Sequence, residues 1–536
     1  MDNIIEQLAR IDTADHASPR KNVVVIGAGM AGLSAAYELM RLGHTITIIE
    51  ATNRVGGRVW THRFEEGEGH YHELGAMRIP ASHDYTRYYI DLVGLKPSLR
   101  RFVTAHANPN GFYYLRRKIC RIKDAPSVLL DDYHLSALER KVAAEKVAPA
   151  ILGEHIANTI KSLSEQDKKS LFGDGFLTDA VEELERQSLG EYLERRLGGE
   201  DAQELIGVTT GIEGWWDKAV SMFIRDDIAE TGGGLEEITG GMDLLPTRLA
   251  DRVGRGNIRL NTEVVSIELQ ENGVRLWTRA TDPKSWDNPP TSDSVEPILA
   301  DYVICTIPFS VLRTMDVRGL SALKMRAIRN LNYASATKVL LHCNQRFWEG
   351  PGPGGGIVGG ASLSDQITRS TYYPSDHAPP LPIHDRTMKS PEGYCGIATA
   401  FESNATAMPE LYAQPDTSWQ EPGVLLGSYC LGRDAQRLGA LPTNERATAV
   451  INVLRRFHEE IEPHVIGHQS IAWDSYRWSR GAFCFMHPGD LQHYYHAAIR
   501  PEGRMHFAGE HCSLDQAWIQ GAIMSGLRAV EEIMKS

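Results

Sequence analysis

The order of apolar and polar positions divides the chain into stretches of different period. Residues 22–26, Asn-Val-Val-Val-Ile, form an almost unbroken β-branched run, the pattern of a strand buried on both faces. Leu33 to Leu42 places apolar residues at helical spacing, and Gly43 ends it. Thr45 to Ile49 is a second buried strand, closed by Glu50. Strand, helix and strand in this order predict a βαβ unit with parallel strands. Residues 115–235 are rich in Leu, Ala, Glu, Lys and Arg at helical periods and predict a mostly helical insertion. Residues 258–276 predict strands joined at an Asn-Gly turn, a strong hairpin signal. Further on, Tyr302 to Ile307 and residues 504–508 predict buried strands, and Trp518 to Met534 a final helix. Residues 280–297, 350–360 and 378–392 are Pro- or Gly-rich and predict loops, and residues 1–20 a short surface helix or arm.

Composition narrows the class. Apolar residues make up 42% and charged residues 23% of 536, near globular averages, which excludes a disordered, collagen-like or membrane-spanning chain. At about 150 residues per domain this length predicts three or four domains. There is no run of 18 apolar residues, and the N-terminal stretch has no apolar core of a secretory signal, so no membrane association is expected. Lys and Arg number 56 against 69 Asp and Glu, a net charge of −13, which argues against a nucleic-acid partner. Seven Cys with no CxxC spacing fit reduced thiols and a cytoplasmic location. His458-Glu459-Glu460 with His464 has the wrong spacing for a zinc helix, and His493 with His496 lacks further ligands, so no metal site is expected.

The candidate chemistry begins at Gly27-x-Gly29-x-x-Gly32, between the first strand and its helix. The three glycines serve a tight turn, close approach to a pyrophosphate and helix–strand packing, while Met30 and Ala31 open a helix whose free N–H groups face the phosphates. Glu50, followed by Ala51, sits where an acid grips a ribose 2′-OH. Arg54-Val55-Gly56-Gly57-Arg58 supplies a second close backbone approach and positive charge, which favours FAD over NAD.

These residues, in GAGMAGLSAAYEL…IIEATNRVGGRVWT, resemble the flavin-containing amine oxidase superfamily, and the resemblance runs over nearly the whole chain. It implies an α/β fold with a Rossmann-like FAD domain assembled from residues 20–75, 236–325 and 485–536, a mixed-sheet substrate domain from 76–115 and 326–484, and a helical domain at 116–235. It places Val264 at the adenine, Glu510 (after Gly509) at the ribityl chain, and Trp518 and Ile519 at a helix start near the flavin pyrimidine. Gly75-Ala76-Met77-Arg78 resembles the segment of the L-amino-acid oxidase branch in which a flavin loop leads into the arginine that binds the substrate carboxylate, a task suited to a guanidinium fork. By the same resemblance Tyr429 assists that carboxylate, Trp518 walls the site opposite it, Lys338 holds a water near flavin N5, and Ala517 and Phe483 border the side-chain pocket. Arg225 falls where venom relatives carry a histidine and is expected to touch substrate. Phe483 stands where some relatives link the flavin through a cysteine, and Cys484 is one residue later, so FAD is expected to be non-covalent. The implied activity is oxidative deamination of an L-amino acid with O2, giving hydrogen peroxide, in a homodimer or larger homo-oligomer. Rivals are a decarboxylating monooxygenase, an amine oxidase with no carboxylate requirement, and a flavin-binding scaffold. Trp215, Trp216, Phe483 and Ala517 suggest an apolar or aromatic-tolerant side-chain pocket, while Glu213, Asp217 and Asp226 equally suit Lys or Arg.

Overall fold

The computed structural model describes residues 3–13, 19–64, 69–145, 148–173, 177–231, 234–378 and 418–536. The β-branched runs pair as their burial demands. Asn22–Ile26 lies between Thr45–Ile49 and Tyr302–Cys305, with Ile258–Arg259 and Met505–Phe507 at the edges, all parallel. Alternate residues face opposite sides. Val23 and Val25 pack with Leu33, Leu39, Ile523 and Leu527 of two helices, Met30–Arg41 and Ile519–Met534. Val24 and Ile26 pack with Val264, Ile267 and Leu276 of a four-stranded sheet on the other face. Five segments, from the N-terminal quarter to the C-terminus, thus meet in one parallel sheet.

The hairpin signal is displaced by one residue. Gln270 pairs with Gly273, so the turn is Glu271-Asn272, and Gly273 opens the second strand. A second expectation also shifts. Residues 1–20 contain the helix Ile4–Thr13, but Ile4, Leu8 and Ile11 join the core beneath the C-terminal helix, so its apolar face is docked.

A seven-stranded sheet runs Val465–Ala472, Ala336–Cys343, Gly423–Leu431, Ser370–Tyr372, Ala361–Ser364, Phe112–Leu115 and Lys118–Arg121. Because Lys118–Arg121 pairs into this sheet, the helical stretch begins at Ala125. From there to Thr231 the described residues are mostly helical and pack in an apolar cluster with Leu152, Ile156, Leu193 and Ile206, joined by Tyr113, Leu115 and Leu363 of the sheet. Most of the expected loop at 378–392 lies outside the described residues. Among the described residues, no helix is long and apolar enough to cross a membrane.

Candidate active site

Between the parallel sheet and the seven-stranded sheet lies a cavity of about 2310 Å³. That is several times a drug-sized pocket and has room for a dinucleotide and a substrate together. Its nucleotide end is built by glycine. Gly27 turns at φ +103°, and a Cβ there would lie 2.6 Å from Thr306 Oγ1. At Gly32 a Cβ would lie 2.1 Å from the Gly27 carbonyl oxygen, so Gly32 packs helix against turn and does not line the cavity. Gly29 differs: its missing Cβ points into open space, with no atom within 4 Å, and Gly57 closes against its Cα. Met30, Ala31, Ala51, Val264 and Arg58 line the same end. Glu50 is buried there, accepting from the Ala28 N–H at 2.8 Å and the Thr52 N–H at 2.9 Å. Open glycine backbone, a helix N-terminus and a buried ribose-directed acid together fit a dinucleotide such as FAD.

Arg58 and Glu510 are spent partly on each other. Arg58 Nη1 donates to Glu510 Oε1 at 2.7 Å. Glu510 also accepts from the Cys484 and Ala517 N–H groups, at 3.1 and 3.0 Å. Ala517 sits at φ +68°, a conformation that a side chain rarely adopts and that clusters at functional sites. The bend aims Trp518 and the N-terminus of Ile519–Met534 into the cavity, where Gly509, Glu510, Ala517, Trp518 and Ile519 form one wall.

Gly75, Ala76, Met77 and Arg78 form the adjacent wall, with the Arg78 guanidinium 5.7 Å from the Trp518 ring centre. Lys338 and Tyr429 face each other across paired strands, with the ammonium 4.8 Å from the tyrosine ring centre. Lys338 Nζ donates to the carbonyls of Gly75 at 2.7 Å and Glu73 at 3.1 Å. Burial lowers its pKa to about 7, against the pull of the Glu73 carboxylate, while burial raises Glu73 to about 7. Beneath Trp518, its ring edge-on at 5.1 Å, lies His83, which burial holds neutral down to about 3.

Phe483 stacks on Trp215 at 5.6 Å, and both line the cavity. Cys484 turns into the core instead. Arg225 corrects the reading made from sequence. It is 3% exposed, its Nε donates to the Leu171 carbonyl at 2.6 Å, and it is absent from the cavity wall. Helical periodicity turns Phe223, Asp226 and Asp227 to the cavity and Arg225 away from it. Trp216 and Asp217 are likewise off the wall. Asp226 Oδ1 accepts from Trp518 Nε1 at 3.3 Å, and its other oxygen is ion-paired to Lys218. Lys218, Glu73 and His83 were missed by sequence reasoning. The available signal at Lys218 was a charged Asp-Lys pair set between apolar residues, in Trp-Trp-Asp-Lys-Ala-Val.

A dinucleotide cradle meeting a buried lysine, a tyrosine and an arginine at one cavity defines a flavin-dependent oxidoreductase. The chain belongs to the flavin-containing amine oxidase family, whose profile, described as flavin containing amine oxidoreductase, matches residues 30–534. It is 34% identical over 520 residues to the flavin-dependent L-tryptophan oxidase RebO of Lentzea aerocolonigenes, covering 96% of this chain and 98% of that protein. It is 30% identical to the L-amino-acid oxidase of Naja atra, covering 99% and 91%. Among solved structures it resembles putrescine oxidase bound to putrescine, at TM-score 0.68 and 17% identity over 96% of this chain and 99% of that one. Cyclohexylamine oxidase from Brevibacterium oxydans IH-35A matches at TM-score 0.67 and 18%, covering 96% of this chain and 99% of that one. At such identities the likeness establishes the fold.

Proposed function

We propose that this enzyme is an FAD-dependent L-amino-acid oxidase, converting an L-amino acid, O2 and water to a 2-oxo acid, ammonia and hydrogen peroxide. The observation that carries the reading is Arg78, which follows the Gly75–Met77 wall directly and lies over Trp518 in the shared cavity. A guanidinium there gives a carboxylate a bidentate partner, which a simple amine cannot use. Relatives named as L-amino-acid and L-tryptophan oxidases support the same reading.

Gly27, Gly29, Glu50, Arg58, Val264 and Glu510 would hold the FAD non-covalently, with no cysteine on the wall beside Phe483 among the described residues. When bound, the flavin supplies the hydride acceptor and passes the electron pair to O2. The protein supplies position and electrostatics. Arg78 and the Tyr429 hydroxyl fix the carboxylate, and Tyr429 and Trp518 bracket the α-carbon. The amino acid loses Cα–H as hydride and an N–H proton to solvent, and water hydrolyses the imino acid. Lys338 fixes a water or a proton at Nζ on this face. The six described cysteines, all free and buried, support a cytoplasmic location. The enzyme works as a homodimer or larger homo-oligomer.

A peroxide assay across the twenty L-amino acids, with mass spectrometry of product, tests the reading. An amide plus CO2 would identify a monooxygenase, and oxidation of simple amines alone an amine oxidase. Arg78→Ala is expected to raise KM for every amino-acid substrate by about 100-fold or more, the loss of a charge-assisted bidentate pair. Unchanged KM removes the carboxylate anchor.

A further inference from the structure

The Pro-rich loop between the strands Gly273–Ala280 and Glu296–Ala300 carries Trp286, which is 43% exposed. A lone exposed indole needs no explanation, but this one stacks on Trp60 with ring centres 4.5 Å apart. Trp60 in turn has the Arg54 guanidinium over its ring at 3.8 Å, and Arg54 lines the nucleotide end of the cavity. The loop is bonded to itself. The Asp282 N–H donates to the Pro289 carbonyl at 2.7 Å, Asn288 Nδ2 donates to the Asp282 carbonyl at 2.8 Å, and Thr281 bridges Pro290. It is also tied outward in two directions. Beside the ribose-directed acid, Thr281 Oγ1 donates to the Ala51 carbonyl at 2.6 Å, and Asn53 Nδ2 donates to the Pro283 carbonyl at 2.8 Å. On the other side, Trp478 Nε1 donates to the Asp287 carbonyl at 2.7 Å. Ala51 follows the parallel strand Thr45–Ile49, and Trp478 follows Val465–Ala472, an edge of the seven-stranded sheet. Ala51 and Trp478 both line the cavity, whereas residues 281–290 flank it without lining it.

We propose that residues 281–290 form a clasp across the nucleotide end, with Trp286 as its latch, and that FAD enters and leaves where this clasp opens. Gating of this kind depends on the flavin site and not on which substrate is oxidised. A segment tied to both sides of a cleft has to release one of them before a dinucleotide can pass between. The internal bonds let the loop move as a unit, so opening breaks its outward hydrogen bonds and the Trp286–Trp60 stack. The stack covers the most apolar surface of these contacts, because an indole is far larger than a hydrogen-bonding group. A loop that flanks the cavity acts on the barrier to passage and not on the contacts that hold bound FAD. It therefore sets the rates in both directions and leaves the equilibrium nearly untouched.

Flavin fluorescence of the full-length protein tests this, with dilution of the holoenzyme for release and mixing of apoprotein with FAD for binding. Trp286→Ala is expected to speed both steps by about tenfold, the loss of one aromatic stack, and to leave the FAD Kd within about threefold of wild type. Trp286→Tyr keeps a stacking ring and should hold both rates within about threefold of wild type. If Trp286→Ala does not fold, Asn53→Ala removes the tie to Pro283 at an exposed position and should speed both steps by about threefold. Unchanged rates of release and binding in the folded variant overturn the clasp. Faster release with unchanged binding overturns it as well, because Trp286 would then stabilise bound FAD instead of gating its passage. Trp286→Tyr as fast as Trp286→Ala removes the stack as the latch.

Discussion

Lys338 is 3% exposed, in a strand whose every residue is buried. A lysine is not placed there for packing, and its sequence context, Ala-Thr-Lys-Val-Leu-Leu, already said so. What the sequence could not show is how the charge is held. Two carbonyls, from Glu73 and Gly75, come from a segment 265 and 263 residues away. Burial lowers the ammonium while it raises the facing Glu73 carboxyl, so the two titrate as a pair and Lys338 gives up its proton well below the ordinary lysine range. Reduction of O2 builds negative charge, which an ammonium in a dry site stabilises. Flavin reoxidation is therefore expected to be fastest at the acid end of the range and to slow by about tenfold or more as rising pH takes the proton from Lys338. Lys338→Met should give the slow rate at all pH values. Stopped-flow reoxidation by O2 between pH 5.5 and 8.5 measures this, and a wild-type rate that rises with pH contradicts it. Arg225 shows the limit of reading by position. One step along a helix turns a side chain by about 100°, so Asp226 reaches the cavity and Arg225 does not.

At the scale of elements, the βαβ unit was legible because three independent signals agreed: two unbroken apolar strands, a helical period and the glycine spacing. Turns were less legible. Asn272-Gly273 is not the centre of its hairpin, whereas Arg116-Arg117, with φ of +47° and +66°, forms the two-residue turn between Leu115 and Lys118. Nothing local marks that turn; Arg116 is held by Asp201 and Glu204, about 85 residues on. The glycine turn separates packing from binding in a measurable way. Gly32→Ala would drive a methyl to 2.1 Å from the Gly27 carbonyl, and is expected to destabilise the apoprotein by roughly 1–3 kcal/mol, the cost of overpacking. Gly29→Ala has room in the protein and should leave the apoprotein within about 1 kcal/mol of wild type. Its methyl enters the space where the pyrophosphate approaches, so FAD affinity should fall at least about tenfold. Urea unfolding of both apoproteins and FAD titration by fluorescence distinguish the two. Equal loss of stability in both variants would mean that Gly29 also serves packing.

Across the whole molecule, the flavin signatures stand near both ends of the chain, and the parallel sheet shows why: its strands come from residues 22–49, 258–259, 302–305 and 505–507. The spread of motifs was readable in sequence, but the closing contact was not. Arg58 and Glu510 are 452 residues apart, and their side chains are 21% and 7% exposed. Both were expected at the cofactor, yet each is also the other's counter-ion. Glu510 gathers further N–H groups from Cys484 and Ala517, so one carboxylate joins the segment after the second glycine loop, the strand beside Phe483 and the bend that aims Trp518. Removing one partner of such a pair leaves a buried charge uncompensated, at a cost of about 3 kcal/mol or more. Glu510→Gln keeps the volume and loses the charge, so it should lower apoprotein stability by about that amount. Arg58→Met in the same chain removes the stranded cation and should recover part of the stability without recovering flavin, because both groups also border the nucleotide end. Urea unfolding of the apoproteins, read beside the flavin-to-protein absorbance ratio, separates the two effects. If the double variant is no more stable than Glu510→Gln, the carboxylate acts through its backbone hydrogen bonds alone, and the ion pair does not hold the two ends of the chain together.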